Sequence, residues 1–127
     1  MRLSLVVTLI FTNFIFGQLS NKHWLPPLHS RDAVVEDHYL YLSTPNPTPF
    51  SVSVKSGNGT PIAGSPFTIS QGNPQTINIG NGQPSLMFLN QNDVNVVKSD
   101  KGLVLEATKD FYATFKMRAG NHAEVLV

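Results

Sequence analysis

Phe111-Tyr112-Ala113-Thr114-Phe115-Lys116-Met117-Arg118 decides the fold. Phe111, Ala113, Phe115 and Met117 alternate with Tyr112, Thr114, Lys116 and Arg118. Successive side chains of an extended chain point to opposite faces, so this period of two predicts a strand with one face in a core. Just upstream, Leu103, Leu105 and Ala107 alternate with Val104, Glu106 and Thr108. Phe50-Ser51-Val52-Ser53-Val54-Lys55 sets apolar residues against hydroxyls, and Phe67-Thr68-Ile69-Ser70 and Thr76-Ile77-Asn78-Ile79 repeat the pattern more briefly. Tyr39 to Leu42 and Leu86 to Leu89 are almost wholly apolar, which predicts strands covered on both faces.

The breaks between these runs have turn chemistry. Gly57-Asn58-Gly59, Asn81-Gly82 and Asp100-Lys101-Gly102 accept the backbone angles a reversal needs. Pro45, Pro47 and Pro49 stiffen a connector, because proline donates nothing to a sheet ladder. No amphipathic helix stands out after residue 20. Short strands at near-regular spacing predict an all-β fold, an antiparallel β-sandwich of the Ig-like kind in preference to a barrel.

The first residues predict an address. Arg2 leads about fourteen mostly apolar residues, Leu3 to Phe16, followed by Gly17 and Gln18. That is the layout of a cleavable signal peptide, residues 1–17, cut between Gly17 and Gln18. The run is shorter than the roughly 20 residues of a membrane span, so no transmembrane segment is expected in the mature chain. Residues 18–37 are expected to form an extended N-terminal segment and 38–127 the sandwich module. After Ala119-Gly120-Asn121, the stretch His122 to Val127 begins a new apolar strand and stops within it. The module is therefore expected to be incomplete at its C-terminus and to belong to a larger polypeptide.

Composition narrows the partners. With Arg2 removed, eight basic residues balance eight acidic ones, which gives no electrostatic reason for a nucleic-acid partner. Cysteine is absent, so stability rests on the apolar core or a neighbouring domain.

The segment from Lys22 to His38 gathers His23, Trp24, His29, Arg31, Asp32, Glu36, Asp37 and His38. A metal site would combine His23, His29 and His38 with Asp32 or Asp37, although no recognised ligand spacing appears. The favoured reading is a proline-bent opening strand, with Trp24 and Leu25 anchored on the sandwich and the charges facing water. Glu36 and Asp37 are adjacent, hence on opposite faces of a regular strand and unable to flank one glycosidic bond. Ser65 in Ala63-Gly64-Ser65-Pro66 lacks the GxSxG elbow and suits a turn. The glycines at 57, 59 and 64 lack the ending of a phosphate loop. Asp93, Asp100 and Glu106 match no EF-hand loop, and Asn58-Gly59-Thr60 is a formal glycosylation sequon whose first use is a turn. Tyr39 and Tyr41 share a strand face and either form a ledge for a glycan or peptide or pack under a neighbouring domain. Trp24, Tyr39 and Tyr41 are thus the candidate ligand-facing residues. No catalytic, cofactor-binding or metal-binding residue is assigned, and no cofactor is expected.

Several stretches carry a resemblance. Lys22-His23-Trp24-Leu25-Pro26-Pro27-Leu28-His29 and Val35-Glu36-Asp37-His38-Tyr39-Leu40-Tyr41-Leu42-Ser43-Thr44-Pro45 are joined by Gly64-Ser65-Pro66-Phe67. Lys101-Gly102-Leu103-Val104-Leu105-Glu106-Ala107, Lys109-Asp110-Phe111-Tyr112 and Asn121-His122-Ala123-Glu124 complete the set. Together they resemble the start of large secreted proteins of gliding, type IX-secreting bacteria. Those proteins carry a β-rich region similar to the IgGFc-binding protein N-terminal domain and end in a gliding motility-associated, type B sorting domain. The resemblance implies a non-enzymatic, adhesin-like protein, secreted or on the outer cell surface, acting in adhesion or surface assembly with a protein or glycan partner. These residues include no sorting domain, and without one the exported chain is expected in the periplasm. A carbohydrate-binding accessory module of a secreted enzyme is the alternative.

Overall fold

The computed structural model describes residues 19–31, 34–120 and the backbone of 122–126. The expected leader, its Gly17–Gln18 cleavage point and Asp32 lie outside the described residues. The fold is all-β and antiparallel. Its strands are β1 (Ser20–Leu25), β2 (Val35–Ser43), β3 (Phe50–Ser56), β4 (Phe67–Ile69), β5 (Gln75–Gly80), β6 (Leu103–Ala119) and β7 (His122–Leu126).

The alternating stretch that predicts a strand is half of a longer one. Leu103 to Ala119 form one 17-residue strand, because the two sequence segments share a phase: Leu103, Leu105, Phe111, Ala113, Phe115 and Met117 all point into the core. β6 is the axis of the molecule. Its first half pairs with β1 and β3, and its second half with β2 and β7. β4 extends the first group beside β3, and β5 the second beside β2. The result is one seven-stranded sheet that curls nearly into a barrel.

The curl needs β6 to bend, and the register records where. From Lys22↔Glu106 to Ser20↔Phe111, β1 advances two residues while β6 advances five. A ladder broken inside a protein leaves carbonyls in search of donors. Two side chains supply them: Thr44 Oγ1 donates to the Asp110 carbonyl at 2.9 Å, and His23 Nε2 donates to the Phe111 carbonyl at 2.8 Å.

Two sequence expectations are corrected. Leu86 to Leu89 do not form a strand. They lie in a loop that pushes Met87 and Phe88, each about 1 % exposed, into the core. The loop is stapled to residue 28, since Leu28 donates its N–H to the Met87 carbonyl and Leu89 donates to that of Leu28. An apolar run says only that side chains are buried, and a core plug satisfies it as well as a strand. Tyr39 to Leu42 do form a strand, but one covered on a single face: Leu40 and Leu42 are fully buried while Tyr41 faces out. A bulge at Glu36–Asp37 shifts the phase of β2, so Val35 and His38 both point inward.

Two glycines fix the loop after residue 98. A Cβ on Gly57 would lie 2.5 Å from the Lys101 carbonyl oxygen, and one on Gly102 would lie 2.6 Å from that of Leu25. Gly102 also has φ +77°. The loop can therefore sit directly against the ends of β1 and β3.

Candidate functional site

β1 ends beside this loop, and its alternation decides what faces solvent. His23 is buried, so Trp24 must point outward, and the residue is 68 % exposed. Trp24 does not anchor the strand as the sequence suggested. That role falls to His23, whose Nε2 also donates to the Ser20 carbonyl at 3.1 Å and whose ring meets Phe111 edge-on at 4.6 Å. Leu25 packs against the core as expected. Pro26 and Pro27 then end the strand.

A cleft of about 460 Å³ opens at this point. Trp24, Leu25, Pro26, Pro27, Leu103 and Val104 give it apolar walls, and Lys98, Ser99 and Lys101 give it a polar rim. The register sets Trp24 beside Val104, with Lys55 on the far side of Val104. The Lys22 ammonium stands 5.1 Å from the centre of the indole, a favourable place over an electron-rich ring. Glu106 holds Lys22 there at 2.6 Å, and Lys55 approaches the same carboxylate at 3.9 Å. The hydrogen bond and charge of Lys22 hold the Glu106 carboxyl below the usual carboxylate range. Lys98 pairs with Asp93 at 3.0 Å, whereas Lys101 Nζ donates to the neutral Ser85 carbonyl at 2.9 Å.

The tyrosines occupy a different surface. Tyr39 and Tyr41 share the outer face of β2, with ring centres 6.5 Å apart. Tyr41 lies opposite Thr114 and Ser43 opposite Tyr112, so Tyr112 is the diagonal neighbour of Tyr41. Tyr41 and Tyr112 are 36 % and 39 % exposed. Asn78 and Thr76 face Tyr39 and Tyr41 from β5, and Lys116 faces Tyr39 from β6. Sequence reasoning missed Tyr112, although its place opposite Phe111 in the alternation already turned it outward. Trp24 belongs to the β1–β6–β3 half and the tyrosines to the β5–β2–β6 half, so the three candidate residues do not form one site.

A second cleft, about 600 Å³, is lined by Ser30, Val34, Val35, Asn81, Gln83 and Gln91, with Gly82 and Asn90 beside them. Gln83 closes a two-way bond with the backbone of Ser30, at 3.0 and 3.1 Å.

The other candidate groups have local tasks. His38 is fully buried against Phe88, and its Nδ1 meets Ser85 Oγ at 3.3 Å. Among the described residues its Nε2 and that of His29 have no hydrogen-bond partner. Burial lowers the His38 pKa below the ordinary imidazole value, although the Asp37 charge opposes the shift. Glu36 pairs with Arg118 at 3.2 Å and Asp37 accepts from Asn81 Nδ2 at 3.0 Å. Ser65 Oγ accepts the Val54 N–H at 2.9 Å, bracing β3. Asn58 Oδ1 accepts from Ser56 Oγ and the Thr60 N–H, as a turn residue does. Among the described residues, no three His, Cys, Asp or Glu side chains come together to hold a metal ion. Asp93, Asp100 and Glu106 accordingly do not converge. Among the same residues no helix is long and apolar enough to cross a membrane.

Fold and surface together define an all-β antiparallel protein with an exposed tryptophan at the mouth of an apolar cleft. Comparison with protein-family models, curated proteins and solved structures finds no match to this chain.

Proposed function

We propose that this chain is a non-enzymatic recognition module that works outside the cytoplasm, in adhesion or surface assembly. The observation that carries the reading is Trp24, 68 % exposed at the edge of a roughly 460 Å³ cleft. A large apolar ring held in water by its strand costs solubility, and a concave apolar surface beside it suits a ligand. The two halves joined by β6 are read as the layers of an Ig-like sandwich. The apolar run from Leu3 to Phe16 supports export with cleavage after Gly17, and the resemblance to gliding-motility surface proteins supports delivery to the cell exterior. The partner is then a protein or glycan at that surface.

The test uses Trp24→Ala. An exposed side chain contributes little to folding, so stability should change by no more than about 0.5 kcal/mol. Attachment of the purified chain to cells or to their extracted surface material should fall sharply. Attachment unchanged by the substitution would refute the site.

A second reading, a carbohydrate-binding accessory module, is favoured by the tyrosine face. There Tyr39, Tyr41 and Tyr112 alternate with hydroxyl and amide side chains, a mixture that suits sugar rings and their hydroxyls. A glycan array insensitive to Tyr41→Ala and Tyr112→Ala would dismiss it.

A further inference from the structure

Building on the Trp24 cleft as a ligand site, we infer that its ligand is an acidic saccharide, a sugar chain carrying carboxylates. Three observations converge on that chemistry. First, the charged residues among those lining the cleft, Lys98 and Lys101, are both cations, so its rim complements an anion. Second, their charges are not equally spent. Lys98 is paired with Asp93, whereas Lys101 donates to a neutral carbonyl and, among the described residues, forms no ion pair. Lys101 lines the cleft and, among the described residues, its charge meets no opposing one, and a charge-assisted bond from an ammonium to a carboxylate is a strong one.

Third, the walls suit a ring and not a flexible chain. The indole of Trp24 and the pyrrolidines of Pro26 and Pro27 are rigid, so a ligand meets them with little loss of side-chain freedom. A pyranose offers a face of polarised C–H bonds to the negative face of an indole. Lys22, paired with Glu106, stands over the indole at 5.1 Å. Ser99 adds a hydroxyl at the rim for a sugar hydroxyl. An acidic peptide would satisfy the lysines but leave the apolar walls to whatever side chain flanks its acid.

The sequence contains one tryptophan, so its fluorescence reports this cleft alone. Purified chain is titrated with oligogalacturonate, with the methyl ester of the same oligomer, and with polyglutamate. Oligogalacturonate should change the Trp24 emission saturably, with an affinity that falls as salt is added. Lys101→Gln should weaken it about tenfold or more. Because Lys101 also holds Ser85, Lys98→Gln is measured beside it and should weaken binding too, with the circular dichroism of both variants unchanged. Equal binding of the methyl ester, preference for polyglutamate, or indifference to both lysine substitutions overturns the acidic-saccharide assignment while leaving a recognition cleft. Silence of Trp24 toward all three ligands, with surface attachment unchanged in Trp24→Ala, removes the cleft reading as well.

Discussion

His23 and His38 occupy inward positions on β1 and β2, but their surroundings differ. His23 Nε2 finds two carbonyl acceptors, and since a carbonyl can only accept, that nitrogen carries the proton. Among the described residues His38 makes one hydrogen bond, to Ser85 Oγ, and its Nε2 has no such partner, while its ring packs beside Phe88 and Phe115. A buried imidazole with a lowered pKa is held neutral, and acid must charge it. The unfolded chain takes up its proton first as pH falls through about 6.5. Stability is therefore full above that value and declines below it, toward the lowered value of the folded state. Melting temperature should drop as pH falls below about 6.5, and His38→Gln should flatten the drop. Glu106 cannot confuse the reading, because its carboxylate titrates below its ordinary 4.5. A variant with the same pH dependence as the parent would show that another group is responsible. At this scale the sequence misled about Trp24. Hydropathy alone puts tryptophan inside ahead of histidine, but the parity of β1 and the carbonyls left by the β6 bend put His23 there.

Elements are where most of the fold was legible. The alternation in β3 and β6 fixed which side chains enter the core, because a slip of one residue would turn every one of them outward. Less visible was the continuity of β6. Its two alternating runs lie on either side of Lys109 and Asp110, yet the odd-numbered phase runs through them and the backbone bends without stopping. The plug at Leu86 to Leu89 was invisible as a plug, since its letters match a buried strand. Phe88→Ala should cost about 3–5 kcal/mol, as expected of a large side chain lost from a packed core, and chemical denaturation measures it. The loop beside it has its own weak point. Gly102→Ala faces both a positive φ and the Leu25 carbonyl oxygen, so it should cost at least about 1–3 kcal/mol and deform the Trp24 cleft. A neutral effect on denaturation would show that the loop relaxes without strain.

At the scale of the whole molecule, the candidate surfaces follow from topology. β1 presents Trp24 on one half of the sheet, and β2 with β6 presents the tyrosines on the other. Sequence could name these residues but not separate them, because strand order is set by long-range pairing. β6 is shared by both halves, and that has a consequence for how the chain comes apart. Neither half retains a central partner if β6 is lost, so partial melting of one is not a stable option. Amide exchange along Leu103 to Ala119 should report one common opening free energy, and two separate levels would contradict this. Severing the backbone between Asp110 and Phe111 should leave two pieces that are structureless apart and regain order only when mixed. The long strand is in effect the spindle on which the remaining strands are wound.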